Sequence, residues 1–151
     1  MPDPASNRTV TFGGVNPIFR VTDLDASTTY YTGKLGFKVD WQTPVFACVS
    51  RGKTALFLAL GDQGNTGGWV WIAVSDADDL QAEYEASGAK IRNPPTNYPW
   101  SREMQVEDPD GNILRFGSDD RPGEPVGAWL DMYGDRWEMS SPGQWTKISS
   151  R

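Results

Sequence analysis

The side chains of this sequence that could do chemistry are carboxylates, phenols and indoles, because the 151-residue chain contains no histidine. Without imidazole there is no ready general base near neutral pH and no nitrogen donor of the kind that holds most transition metals. The single cysteine, Cys48, lies in the apolar stretch Val45–Val49. It reads as a buried core thiol, since a nucleophilic cysteine needs a neighbouring base to form its thiolate. The aromatic residues are more telling, with seven tryptophans in so short a chain. Trp69 and Trp71 alternate along one apolar run and so share a face of a strand. Tyr98 and Trp100 lie in NPPTNYPWS, where Pro94, Pro95 and Pro99 stiffen the backbone. Rings held in this way are presented with little entropy lost on binding. Some of these rings can serve as flat surfaces for a bound ligand, core packing being the usual role of a tryptophan. Asp40 and Glu103 are candidate acidic partners for a cationic tail on such a ligand.

A scaffold must position these groups, and the chain carries the outline of one in duplicate. Asn16–Gly36 lines up with Trp69–Gly88. Val21, Asp23, Asp25 and Tyr31 fall on Val74, Asp76, Asp78 and Tyr84 at one constant offset, and Gly36 meets Gly88 after one residue is dropped. Each copy reads as a strand, an Asp-rich turn, an amphipathic helix and further strands. In the first, a strand over Asn16–Val21 leads to a helix over Ala26–Lys34, capped by Asp23 or Asp25 and stopped by Gly36. Strands over Phe37–Trp41, Phe46–Ser50 and Thr54–Leu60 follow. In the second, a strand over Trp69–Val74 leads to a helix over Asp78–Ala86, capped by Asp76 or Asp78 and ended by Gly88. A short strand over Ala89–Arg92 comes next, then strands Glu103–Glu107 and Ile113–Gly117 joined by the hairpin turn Asp108–Asn112. The partly alternating run Ala128–Met139 predicts an added hairpin. Two βαβββ copies imply an α+β fold whose half-sheets share a curved, ligand-sized interior.

The bulk numbers bound the partners. The length suits one compact domain or a pair of fused half-domains, and 38% hydrophobic residues suffice for a core. A net charge of −6 argues against nucleic acid and is compatible with a cationic small ligand. The longest apolar run, Ala55–Leu60, is far too short to span a membrane, so no membrane partner is expected. The N-terminal MPDPASNRTV has no signal-like pattern and the cysteine is alone, which together predict a cytoplasmic protein.

The segments IFRVTDLDASTTYYTGKLGF, RGKTALFL, WVWIAVSDADDLQAEYEASGA and REMQVEDPDGNILRF, in that order, resemble the glyoxalase/bleomycin-resistance group of the vicinal oxygen chelate superfamily over Val15–Ser118. Tyr98-Pro99-Trp100-Ser101-Arg102-Glu103 is similar to a P-W-G-R-E stretch of the drug-binding bleomycin-resistance proteins. The resemblance implies paired βαβββ modules in a curved mixed sheet, a homodimer with grooves at the subunit interface, and N-terminal arms exchanged near Pro17. It divides the chain into a polar tail (1–12), a domain over 13–118 and an extension (119–151). Within the domain lie a first module (15–60), a linker (61–68) and a second module (69–118). It places the metal-ligand positions of the family enzymes on Asn16, Phe57, Trp69 and Arg115. These offer one weak oxygen, two aromatic rings and a cation, so no metal, no other cofactor and no catalytic residue is expected. It places the ring-sandwiching pair on Phe46 and Trp100; Trp41, Phe57, Trp69, Trp71, Tyr98 and Glu103 are the further candidates for the groove, with core or surface roles as the alternative.

The leading expectation is therefore a protein that sequesters an aromatic, bleomycin-like ligand in dimer-interface grooves and makes or breaks no bond. The alternative is a metal-independent isomerase or cyclase using Glu103, Asp40 or Tyr98 for acid–base chemistry. A third reading is a structural module whose interior is simply filled by Phe57, Trp69 and Trp71.

Overall fold

The computed structural model describes residues 9–149. The polar tail expected over 1–12 lies outside the described residues as far as residue 8. In the first module, β1 (Ile18–Val21) is followed by α1 (Leu24–Gly33), β2 (Lys38–Gln42), β3 (Phe46–Arg51) and β4 (Thr54–Leu60). The second repeats the order with β5 (Trp69–Ala73), α2 (Ala77–Ser87), β6 (Lys90–Asn97), β7 (Arg102–Glu107) and β8 (Ile113–Ser118). The internal repeat becomes a repeat of topology. The sheets run β1-β4-β3-β2 and β5-β8-β7-β6, and in each the first strand pairs parallel with the last. The fold is α+β, two βαβββ modules with an added C-terminal sheet.

The helices start where the repeated aspartates place them. The Asp23 carboxylate accepts from the Ala26 amide at 3.0 Å, and Asp76 accepts from Asp78 and Asp79 at 2.8 and 3.0 Å. Each satisfies amide donors that a helix start leaves open. Gly88 ends α2 in the left-handed conformation (φ 82°), as its sequence position predicts. Gly36 does not stop α1. That helix ends at Gly33 with Lys34 as a right-handed cap, and Gly36 (φ 76°) turns the chain only afterwards.

Alternation along the strands gives each sheet two unlike faces. Val49, Leu56 and Leu58 of the first sheet and Met104, Val106, Leu114 and Phe116 of the second join Tyr31 and Tyr84 of the helices in one buried core. The two modules are also tied by polar contacts. The Tyr84 hydroxyl donates to the Leu35 carbonyl at 2.8 Å, and Asp110 accepts from the Thr22 amide and hydroxyl at 2.9 and 2.8 Å. The opposite faces carry the aromatic residues of interest.

Two elements differ from expectation. β6 does not stop at Arg92; it continues through Pro94 and Pro95 to Asn97. It is the edge strand of its sheet, and its pairing with β7 shifts register on both sides of Asn93, so the missing proline amides interrupt no regular ladder. The extension forms a third sheet, β11-β10-β9, from β9 (Trp129–Leu130), β10 (Arg136–Ser141) and β11 (Gln144–Ser149). The expected hairpin is the β9–β10 pair, and β11 adds a strand to it. β1 pairs with β4 of its own chain, and the Pro17 carbonyl accepts from the Phe57 amide at 2.9 Å.

Candidate functional site

The site is organised around one buried carboxylate. Glu103 stands on β7 opposite Gly117 of β8, which in turn lies beside Ala73 of β5. Trp71, two residues back on β5, leans across Gly117. A Cβ at Gly117 would lie 2.6 Å from the Trp71 ring, so only glycine leaves room for it there. Through that gap the Trp71 indole N–H reaches Glu103 Oε2 at 3.0 Å. The Trp100 indole N–H and the Ser101 hydroxyl donate to the same oxygen at 2.6 and 2.7 Å. Arg115 donates to Oε1 through Nε at 2.9 Å, with Nη2 at 2.8 Å. Glu103 is 1% exposed, so charge-assisted hydrogen bonds hold it in a nearly dry environment. Its cationic partner is Arg115, and its geometric role is to fix two indoles.

Trp100 is held on a second side. Pro99 and Trp100 sit at the tip of a tight turn closed by the Tyr98 amide donating to the Ser101 carbonyl at 2.9 Å. The Tyr98 ring stacks on Trp100 with centroids 5.1 Å apart and planes 10° from parallel. Tyr98 is buried, its hydroxyl donates to the Ala128 carbonyl at 2.9 Å, and burial pushes its phenol up to about 12. It is therefore a neutral donor at physiological pH. Trp100 is nonetheless 51% exposed and Trp71 49%. Both line a cavity of about 440 Å³ with Tyr98, Ser101, Asp119 and Asp120. It has one aromatic wall and an acidic rim.

The first module carries a separate aromatic face. Trp41 stacks on Phe46 (5.7 Å, 15°), and Phe57 packs against both at 5.8 and 5.3 Å. Trp41 is 46% exposed. Asp40 lies on the same strand, where the Ser50 hydroxyl, aided by Lys38 at 3.5 Å, holds its carboxyl below the usual range. Cys48 is buried and its thiol lies 3.7 Å from Asp40 Oδ2; burial raises its pKa. Phe46 and Trp100 thus stand on different modules, and among the described residues no ring contact joins their clusters within one chain.

The extension covers much of the second module's open face. Buried Gln105 donates to the Leu130 carbonyl at 2.9 Å and accepts from Arg92, which also donates to the Asp131 carbonyl. Trp129 packs near Trp69 (6.2 Å) and against Tyr98 (5.5 Å), and Arg115 lies over its ring at 4.9 Å. Trp129, Trp137 and Trp145 join the candidate site without having been singled out in the sequence, and Arg115, which the resemblance placed at a metal-ligand position, is the partner of Glu103. The only signal for the three tryptophans was the alternation in a Trp-rich extension.

The positions assigned to metal ligands do not fit a metal. Phe57 is part of a ring cluster, Trp69 packs at a tilt beside Trp129, and the Arg115 guanidinium is bound to Glu103. Among the described residues no group of three or more His, Cys, Asp or Glu converges as ligands. Nor is any helix among them long and apolar enough to cross a membrane.

Comparison with known proteins agrees with this architecture. A bleomycin-binding protein from bleomycin-producing Streptomyces verticillus, solved with copper(II)-bleomycin, is 27% identical; the match covers 74% of this chain and all of that one, with a TM-score of 0.66. A glyoxalase/bleomycin resistance protein/dioxygenase from Nocardioides is 22% identical over 82% of this chain and 94% of its own, with a TM-score of 0.61. A bleomycin resistance determinant encoded on the transposon Tn5 shares 17% identity over 73% of this chain and all of its own, with a TM-score of 0.64. No curated protein sequence matches the chain. A family model matches residues 12–116, the stretch that builds both βαβββ modules, and the chain belongs to the Glyoxalase/Bleomycin resistance protein/Dioxygenase superfamily.

Proposed function

We propose that the protein binds and sequesters a flat aromatic small molecule of the bleomycin type, without chemical turnover. The observation that carries this reading is Trp100, half exposed yet fixed by Glu103 on its edge and Tyr98 on its face. A large ring locked in place before binding costs little entropy to use. Asp119 and Asp120 border the same cavity and suit a cationic tail. The likeness to a bleomycin-binding protein at 27% identity supports the same ligand class. The exposed Trp41–Phe46–Phe57 face is the natural opposing wall, supplied across a subunit interface in a homodimer. Acid–base catalysis finds less support, because Tyr98 is held neutral and Glu103 is bound to Arg115.

The test is a fluorescence titration with bleomycin of the native chain and of Trp100→Ala. Removing the ring should weaken binding by roughly 1–3 kcal/mol, the range of aromatic hot spots. Unchanged affinity in the variant would rule out this groove.

A further inference from the structure

Beyond the stretch shared with the superfamily, the chain builds a pocket of its own, and we propose that this pocket takes a flat organic cation. The family match ends at residue 116. The extension then brings Trp129, Trp137 and Trp145, one from each of β9, β10 and β11, to Trp100. With Arg115 and Asp131 they line an open cavity of about 520 Å³. Small-molecule sites run from roughly 300 to 1,000 Å³. All three extension tryptophans are only partly covered. With half-exposed Trp100 they make an aromatic surface that still meets water, and apolar patches of this kind mark interaction sites.

The lining selects for charge as well as shape. Trp100 makes angles of 69° with Trp129 and 54° with Trp145, so the rings form walls and not a closed stack. Indole faces are electron-rich and attract cations, and the fold already places the Arg115 guanidinium over Trp129. That positive charge is balanced by Glu103 at 2.8 Å. Of the neighbouring cations, Lys147 pairs with Asp135 at 3.1 Å, and Arg92 donates to Gln105 and the Asp131 carbonyl. The Asp131 carboxylate accepts from the Trp137 indole N–H at 2.9 Å and has no ion-pair partner among the described residues. Within the lining Arg115 is taken up by Glu103, so Asp131 is the charged group of the lining left to a ligand. The pocket shares Trp100 with the groove proposed above and adjoins it through Tyr98 and the Arg115–Glu103 pair, while Trp137, Trp145 and Asp131 belong to the pocket alone.

The experiment is a titration of the full chain with ethidium, a flat cation, and with phenanthridine, a neutral molecule on the same ring frame. Ethidium should bind one per chain and roughly tenfold more tightly than phenanthridine, as expected for a partly desolvated cation on indole faces. Trp145→Ala should weaken ethidium about fivefold or more. Asp131→Asn, which keeps every ring, should lower the affinity for ethidium while leaving phenanthridine unaffected. Equal affinity for the two probes, or native affinity in both variants, overturns the proposal. Ethidium binding that depends on Trp145 in a protein that ignores bleomycin keeps this pocket and removes the groove. Bleomycin binding without ethidium binding removes the pocket alone.

Discussion

Glu103 shows how one residue can decide the character of a site it does not visibly face. Its carboxylate is buried with Arg115 and fixes Trp71, Trp100 and Ser101. Glu103→Gln should cost about 3 kcal/mol of stability, because it leaves the Arg115 charge without its partner, a loss urea unfolding would read. Gly117→Ala should displace Trp71, since the added carbon would lie 2.6 Å from its ring. The expected cost is about 1–3 kcal/mol, with a change in tryptophan emission. A native-like unfolding midpoint in both variants would contradict this organisation. The sequence motif Tyr98–Glu103 marks the loop that carries Trp100. It did not show that Glu103 serves its neighbours, because the donors come from positions 71, 100, 101 and 115. Only the register of β5, β8 and β7 brings these together.

At the level of elements, the anchoring of the extension rests on charge. Buried Arg102 donates to Asp78 at 2.7 and 2.9 Å and to Glu124 at 2.6 Å, while Arg121 approaches Asp78 at 3.2 Å. The Arg102 guanidinium beside Asp78 holds that carboxyl below its usual range. The contribution is therefore complete above the ordinary carboxylate value of about 4 and is lost as pH falls through the lower folded value. Asp78→Asn should lower the melting temperature near neutral pH, and its difference from the native chain should shrink on acidification. A pH-independent difference would show that Asp78 acts by packing alone. The helix starts and the paired βαβββ modules were legible, because Asp23, Asp76 and Gly88 act locally and the repeat announced two like units. The course of β6 through Pro94 and Pro95 was not, since its edge position and register shifts are settled by pairing with β7. The third strand of the extension was hidden for a similar reason. Gln144–Ser149 alternates weakly and forms β11 only by pairing with β10.

At the scale of the whole molecule, two similar modules share one core and turn aromatic faces outward, and the extension is docked on one of them. The first module's face carries Trp41, 46% exposed, packed with the partly exposed Phe46 and Phe57. If a second subunit covers this face, sedimentation equilibrium should give a dimer, and Phe57→Asp should shift it to monomer. A native chain that sediments as a monomer at all concentrations would remove the shared groove. The most direct measurement is calorimetric titration of the full-length protein with bleomycin, metal-free and copper-loaded, followed by mass analysis of the recovered drug. Saturable submicromolar binding at one drug per chain, with the drug recovered intact, is the expected result. No heat and no change in tryptophan emission, or a chemically altered drug, would contradict sequestration by the Trp100 site.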